Sequence, residues 1–179
     1  LPHAEFADLL RFVWTTTMPM IARINGHCLA GGMGLFAMCD MAVAAEHASF
    51  GLPEVKIGLF PAQVLAVLQH LSAPRHIAEM CITGEPISAA RAAEIGLVNH
   101  VAPAGELDAK TDWLVQRVVG KSPTAVRRGK AMMRAAFDMS FEQSISYLET
   151  QIMTLALTED AKEGRASFVE KRAPHWTGR

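Results

Sequence analysis

Apolar positions fall into short blocks whose spacing changes along the chain. Phe6, Leu9, Leu10 and Val13 share one face of a helix, and the chain opens inside that pattern without an initiator Met, which points to a fragment of a longer protein. "MIARIN", from Met20 to Asn25, alternates apolar and polar residues as a strand does, and Asn25-Gly26 breaks it. A glycine-rich stretch then opens an apolar segment, Met33 to Cys39, that reads as a buried helix. "DMAVAA" from Asp40 is a second strand, and "ASFGLPEVKIGLFP" is an extended stretch punctuated by Gly51, Pro53, Gly58 and Pro61. Pro61 suits the first turn of a following helix.

Beyond residue 61 the pattern predicts helices almost throughout. "PAQVLAVLQHL" is one. "SAPRHIAEMCITG" is a second, with Ser72 as candidate cap and Gly84 as stop. "SAARAAEIG" is a third, closing on Gly96. "LVNHVAP" is a lone strand. Helices follow over Leu107–Val119, after Ser122-Pro123, and after Ser140, where Gln143 gives capping-box spacing. In the last of these, Phe141, Ile145, Leu148, Ile152 and Leu155 form a stripe that fits core better than partner-facing surface. A charged helix from about Asp160 to Arg172 ends the chain.

Composition narrows the classes. The 179 residues are 50% hydrophobic and 20% charged, with a net charge of −1, which describes a globular protein. No basic stripe interleaved with aromatics suggests nucleic acid, and no apolar run is long enough for a bilayer span. Cys28, Cys39 and Cys81 lack metal-ligand or C-x-x-C spacing and look like buried thiols of a reducing compartment, so a cytoplasmic location is expected. His70 and His76 are six apart, unsuited to one helix face, so no metal is assigned.

Gly31, Gly32 and Gly34 carry the sharpest question. Gly32 to Ala37 spells G-x-G-x-x-A, with Glu54 near the distance of a ribose-binding acid. That dinucleotide reading is disfavoured, because six residues separate the glycines from the preceding strand and the chain supplies few strands after residue 61. A P-loop lacks its Gly-Lys-Ser/Thr. Free N–H groups at a helix start could instead form an oxyanion hole, or the glycines could simply allow close packing. The stretch alone leaves both open.

"NGHCLAGGMGLFAMCD", "ASFGLPEVKIGLFP", "ITGEPISAARAAEIGLVNHV" and "EGRASFVEKRAPHW" occur in this order. Together they resemble the crotonase superfamily, the enoyl-CoA hydratases and isomerases, over essentially the whole chain from about residue 18. The resemblance implies an α/β fold: a crotonase (ClpP-like) spiral of ββα units, its N-terminal part missing here, followed by a C-terminal helical trimerisation layer. Residues 1–103 would hold the spiral core and residues 104–179 the helical, CoA-contacting region. The substrate would be an acyl-CoA thioester, with coenzyme A part of the substrate and no tightly bound cofactor. The assembly would be a homotrimer or a dimer of trimers.

By the same resemblance, Gly31 supplies one of two oxyanion N–H groups, with Gly32 beside it, and the other donor lies in the missing portion. Glu54, in "GLPEV", is the proton-transfer residue. Two-glutamate hydratases carry a second Glu at the position of Gly34, and its absence leans toward isomerisation by a single base, although the sequence as a whole looks more like the hydratases. Gly34, with Pro61, would also leave room in the acyl pocket for a bulkier chain, an idea that a filled pocket would overturn. Phe168 and Lys171 match positions that meet the CoA adenine and phosphates. His27 and Asp40 are read as structural, and Gln63 as a surface residue of its helix. A non-catalytic acyl-CoA-binding subunit is the alternative from another class.

Overall fold

Residues 2–179 are described by a computed structural model, with side chains described from Glu5. The chain divides into two compact units, one of residues up to Trp14 with Met20–Val115, the other of Thr15–Pro19 with Gln116–Arg179.

In the first unit, α1 (Pro2–Thr15) precedes β1 (Ile21–Ile24) and β2 (His27–Leu29). Helix α2 (Gly31–Ala37) follows, then β3 (Met41–Ala45) and β4 (Ser49–Gly51). The single turn of 3₁₀ helix at Pro53–Ile57 leads to α3 (Ala62–Leu68) and α4 (Pro74–Thr83). Strand β5 (Ile87–Ser88), α5 (Ala89–Glu94), β6 (His100–Ala102) and α6 (Leu107–Val119), whose residues from Gln116 belong to the second unit, complete the run. The strands form two three-stranded sheets, ordered β1-β3-β6 and β2-β4-β5. Every pairing is parallel except that of β4 with β5.

Local signals explain most boundaries. Pro61 is the N-cap of α3, and Gly84 ends α4 in the left-handed conformation at φ 67°. Its φ alone favours glycine, and a Cβ there would also lie 2.9 Å from Val55, so α4 can end directly against the 3₁₀ turn. Ser88 caps α5 by accepting from the Arg91 amide. Ser72 does not cap α4. Its hydroxyl donates to the Ile95 carbonyl at 2.7 Å, and Ala73 holds the cap position ahead of Pro74.

Strands β2 and β5 escape the sequence pattern because each is too short for alternation to register. The core gathers Met33, Phe36, Phe50, Leu52 and Leu68 between α2, α3 and the β2 sheet, while Val43, Ala45, Ala102, Leu107 and Leu114 form a smaller cluster. Asp40 is structural as expected: its carboxylate accepts from the Met20 amide at 2.7 Å. Cys28 and Cys81 are buried, and burial, with the nearby Cys39 thiol second, pushes the Cys28 thiol up to about 11, so it stays protonated.

The second unit contains α7 (Pro123–Ala136), α8 (Phe141–Ala156) and α9 (Glu159–Glu170). Ser122 caps α7, and Ser140 with Gln143 forms the expected reciprocal capping box on α8. The stripe on α8 is not core. No residue of that helix is buried, Phe141 is 74% exposed and Ile152 58%, so the periodicity marks an apolar surface.

Asp160 organises this unit. It is 1% exposed, and its carboxylate accepts from the Ser122 hydroxyl at 2.8 Å and from the amides of Thr124, Thr177 and Gly178. The Thr177 hydroxyl adds a bond at 3.2 Å, and the Asp160 amide donates to the Arg179 carbonyl. Burial alone would raise the pKa of this carboxyl. The hydrogen bonds from Ser122, Thr177, Gly178 and Thr124 outweigh it and hold the group well below the ordinary range.

A carboxyl depressed in the folded state contributes stability above its unfolded pKa of about 3.9, and that contribution is lost as pH falls below it. Asp160→Asn is therefore expected to lower unfolding free energy by about 2–4 kcal/mol at pH 7, with the gap to wild type narrowing at pH 3. Urea unfolding at the two pH values measures it, and an equal gap at both would exclude a role for the charge.

Candidate active site

Parallel pairing of β2 with β4 sets the site. The register places Leu29 beside Gly51, and the Ala30 amide donates to the Gly51 carbonyl at 3.0 Å. Both strands therefore end at the same edge, where α/β folds place ligands. One chain leaves into Gly31 and Gly32, the other into Leu52, Pro53 and Glu54. The strand before the glycines removes one objection to a dinucleotide loop. The strands nevertheless lie in two separate three-stranded sheets, not one doubly wound sheet, and that reading fails on topology.

Ala30 is the hinge of the turn. It sits at φ 49°, ψ −124°, a backbone conformation that costs a non-glycine residue about 1–3 kcal/mol. Held by Gly51 on one side and accepting from the Met33 amide at 2.9 Å, it turns the chain abruptly into α2. Gly31 and Gly32 are the first two residues of that helix, so their N–H groups have no intrahelical carbonyl to reach. Gly31 is half-buried and Gly32 exposed.

Glu54 lies in the 3₁₀ turn, half-buried. Its Oε2 is buried with no hydrogen-bond donor among the described residues. An unsatisfied buried acceptor costs about 1–3 kcal/mol, which makes it the polar group most in need of a ligand in this unit. Cys81 of α4 is its neighbour, and burial, followed by the charge of Glu54, pushes that thiol up, so it remains neutral beside the carboxylate. Lys56 bonds Glu85 at 2.8 Å in an exposed pair. His27 has a structural partner, its Nδ1 lying 2.7 Å from the Ser49 hydroxyl.

The room expected beside Gly34 is filled. A Cβ on Gly34 would lie 2.9 Å from Cζ of Phe6 on α1 and 3.3 Å from Cγ2 of Val64 on α3. The open acyl pocket inferred at Gly34 is corrected on this steric ground. Pro61, at the start of α3, is buried, while an apolar groove of about 350 Å³ lies along α3 and α4, lined by Phe60, Leu65, Ile77 and Cys81 among others. Sequence reasoning missed Phe6 as the neighbour of Gly34, because nothing in a helical stripe tells which distant glycine its first ring will meet.

Gln63 is half-buried on α3. In the second unit, Phe168 is 85% exposed on the last turn of α9, and Lys171 caps that helix in the left-handed conformation. No group of three or more His, Cys, Asp or Glu side chains among the described residues is placed to hold a metal. No described helix is long and apolar enough to cross a membrane.

Steric contact at Gly34 makes a direct prediction. Gly34→Glu is expected to lose about 1–3 kcal/mol of stability by overpacking against Phe6 and Val64. Combining it with Phe6→Ala should show a coupling of about 0.5–3 kcal/mol in a double-mutant cycle read by urea unfolding. Additive effects would mean that the two positions do not meet.

A sequence model described as enoyl-CoA hydratase/isomerase matches residues 1–179. Carnitinyl-CoA dehydratase of Salmonella typhi is 37% identical over 179 residues, covering 97% of this chain and 68% of that protein. Enoyl-CoA hydratase of Mycobacterium smegmatis superposes with a TM-score of 0.93 at 33% identity, covering 97% of this chain and 68% of the other. Human enoyl Coenzyme A hydratase domain-containing protein 3 gives 0.90 at 34% identity, covering 97% and 70%. With its α/β core, its helical C-terminal part and a family match along its whole length, the chain belongs to the enoyl-CoA hydratase/isomerase family of the crotonase superfamily.

Proposed function

We propose that the protein hydrates a trans-2-enoyl-CoA thioester, or runs the reverse dehydration, with Glu54 as the single acid and base. The observation that carries this is the buried, unpartnered Oε2 of Glu54 on the loop beside the free N–H groups of Gly31 and Gly32. The carnitinyl-CoA dehydratase relative favours water addition and removal over other chemistry of the family.

In the forward direction, Glu54 takes a proton from water as its oxygen bonds to C3. The C2–C3 double bond shifts its electron pair toward the thioester, and the negative charge forms on the carbonyl oxygen held by the Gly31 N–H. One such donor is worth about 2.7–4 kcal/mol of transition-state stabilisation. Glu54 then returns the proton to C2, leaving a 3-hydroxyacyl thioester. A carboxylate without internal hydrogen bonds suits this cycle, because no partner must be displaced before it accepts a proton.

Δ3–Δ2 isomerisation is the second reading, and Gly34 favours it. That position has no side chain to help hold a water, whereas isomerisation needs only one base to take a proton from C2 and deliver it to C4. In either case Phe168 and Lys171 are assigned to CoA, supported by an exposed aromatic face and an ammonium three residues apart at the end of α9. The exposed stripe on α8 supports assembly of identical chains as a trimer or a pair of trimers.

Two measurements test these assignments. In deuterium oxide, loss of the conjugated thioester absorbance from a 2-enoyl-CoA, with deuterium at C2, is expected of wild type and should fall at least about 100-fold in Glu54→Gln. Gain of that absorbance from a 3-enoyl-CoA alone would make the protein an isomerase, and thioester binding without turnover would make it a non-catalytic subunit. Sedimentation equilibrium should give a multiple of three chains, reduced by Ile152→Glu. A monomer in wild type would remove the assembly.

A further inference from the structure

The side chain that Gly34 lacks is replaced in space by one from a distant point of the sequence. The Phe6 ring comes to 2.9 Å from a Cβ built on Gly34 and to 3.8 Å from one built on Gly31. Those two glycines are three residues apart and share a face of α2, so the ring lies along the face that carries the oxyanion donor. Val64, only 4% exposed, closes the other side of Gly34 and leaves α2 little room to shift. Phe6 packs against the main core but is half-buried, so part of it faces outward.

We propose that Phe6 is a specificity-determining residue, its ring forming the wall against which the first carbons of the acyl chain lie. The proposal rests on Gly31 as oxyanion donor. A carbonyl oxygen held by that amide sits about 2.9 Å from its nitrogen, and the carbons next to the carbonyl follow within two bonds. A ring 3.8 Å from where a Gly31 Cβ would lie is within reach of them. Branching at those carbons meets the ring. The bare Gly34 does not widen the site; it lets an aromatic wall come close, where a Cβ would push it away.

The test uses the full chain as wild type, Phe6→Leu and Phe6→Ala. Calorimetric binding of unreactive saturated acyl-CoA thioesters, straight and methyl-branched at C2 or C3, is paired with kcat/KM for the matching 2-enoyl-CoAs. Phe6→Ala is expected to raise the branched-to-straight ratio at least about tenfold, within the 10–200-fold range for a group added or removed in an apolar pocket. Phe6→Leu should fall between. Urea unfolding identifies any variant that has lost its fold, and Phe6→Leu carries the test if Phe6→Ala does. Wild-type binding with an unchanged ratio in the folded variants overturns the role of Phe6 and leaves the proposed function standing. No thioester binding by wild type overturns both.

Discussion

Two short parallel strands, β2 and β4, are the constraint on which the site depends. Three residues pair with three, and the bond from the Ala30 amide to the Gly51 carbonyl extends the ladder one step past Leu29. That bond holds Ala30 in a conformation it would otherwise leave, and the abrupt turn at Ala30 puts Gly31 and Gly32 at the head of a helix. Because the strands are parallel, the other loop leaves from the same edge and brings Glu54 with it. A slip of one residue would turn every β2 side chain to the opposite face and carry Cys28 out of the core. Cys28 and Phe50 stand opposite each other in this register and are both buried, so burial specifies it.

Gly34 shows why a glycine must be read through its surroundings. Missing side chains suggest space, yet the space here is taken by Phe6 from one side and Val64 from the other. Interiors pack near crystal density, so volume given up at one position is normally filled from another. The residue that fills it can come from anywhere in the chain. Here that residue is Phe6, which covers part of the α2 face carrying Gly31 and Gly34.

Much of this was legible in the sequence where local chemistry decides. Ser122, Ser140 with Gln143, Gly84 and the Leu107–Val119 helix stand where their caps and spacings put them. Strands β2 and β5 were hidden, because three and two residues cannot display a period. Ser72 misled because its hydroxyl has a tertiary partner at Ile95 instead of a local one. The α8 stripe misled differently: a repeat of apolar residues reports that a face is to be covered and says nothing of whether this chain covers it. At the candidate site, Gly31 and Glu54 are candidates that the family resemblance supplies, whereas the orphaned oxygen of Glu54 and the ring beside Gly34 arise from tertiary packing.

Asp160 and Glu54 are two carboxylates with opposite surroundings. Asp160 is saturated: three amides and two hydroxyls converge on it, so protonating it would forfeit bonds that tie the C-terminal residues to α7 and α9. Such a group is fixed as an anion and cannot shuttle a proton near neutrality. Glu54 has a buried oxygen with no donor, beside a thiol that stays neutral. Leaving that oxygen unsatisfied costs stability, and the 3₁₀ turn holding it is pinned from outside, by the Glu54 carbonyl accepting from the Leu59 amide and by Gly84 against Val55. The backbone is thus held without using the carboxylate. A side chain kept free in this way can meet a reacting proton with no bond to break first.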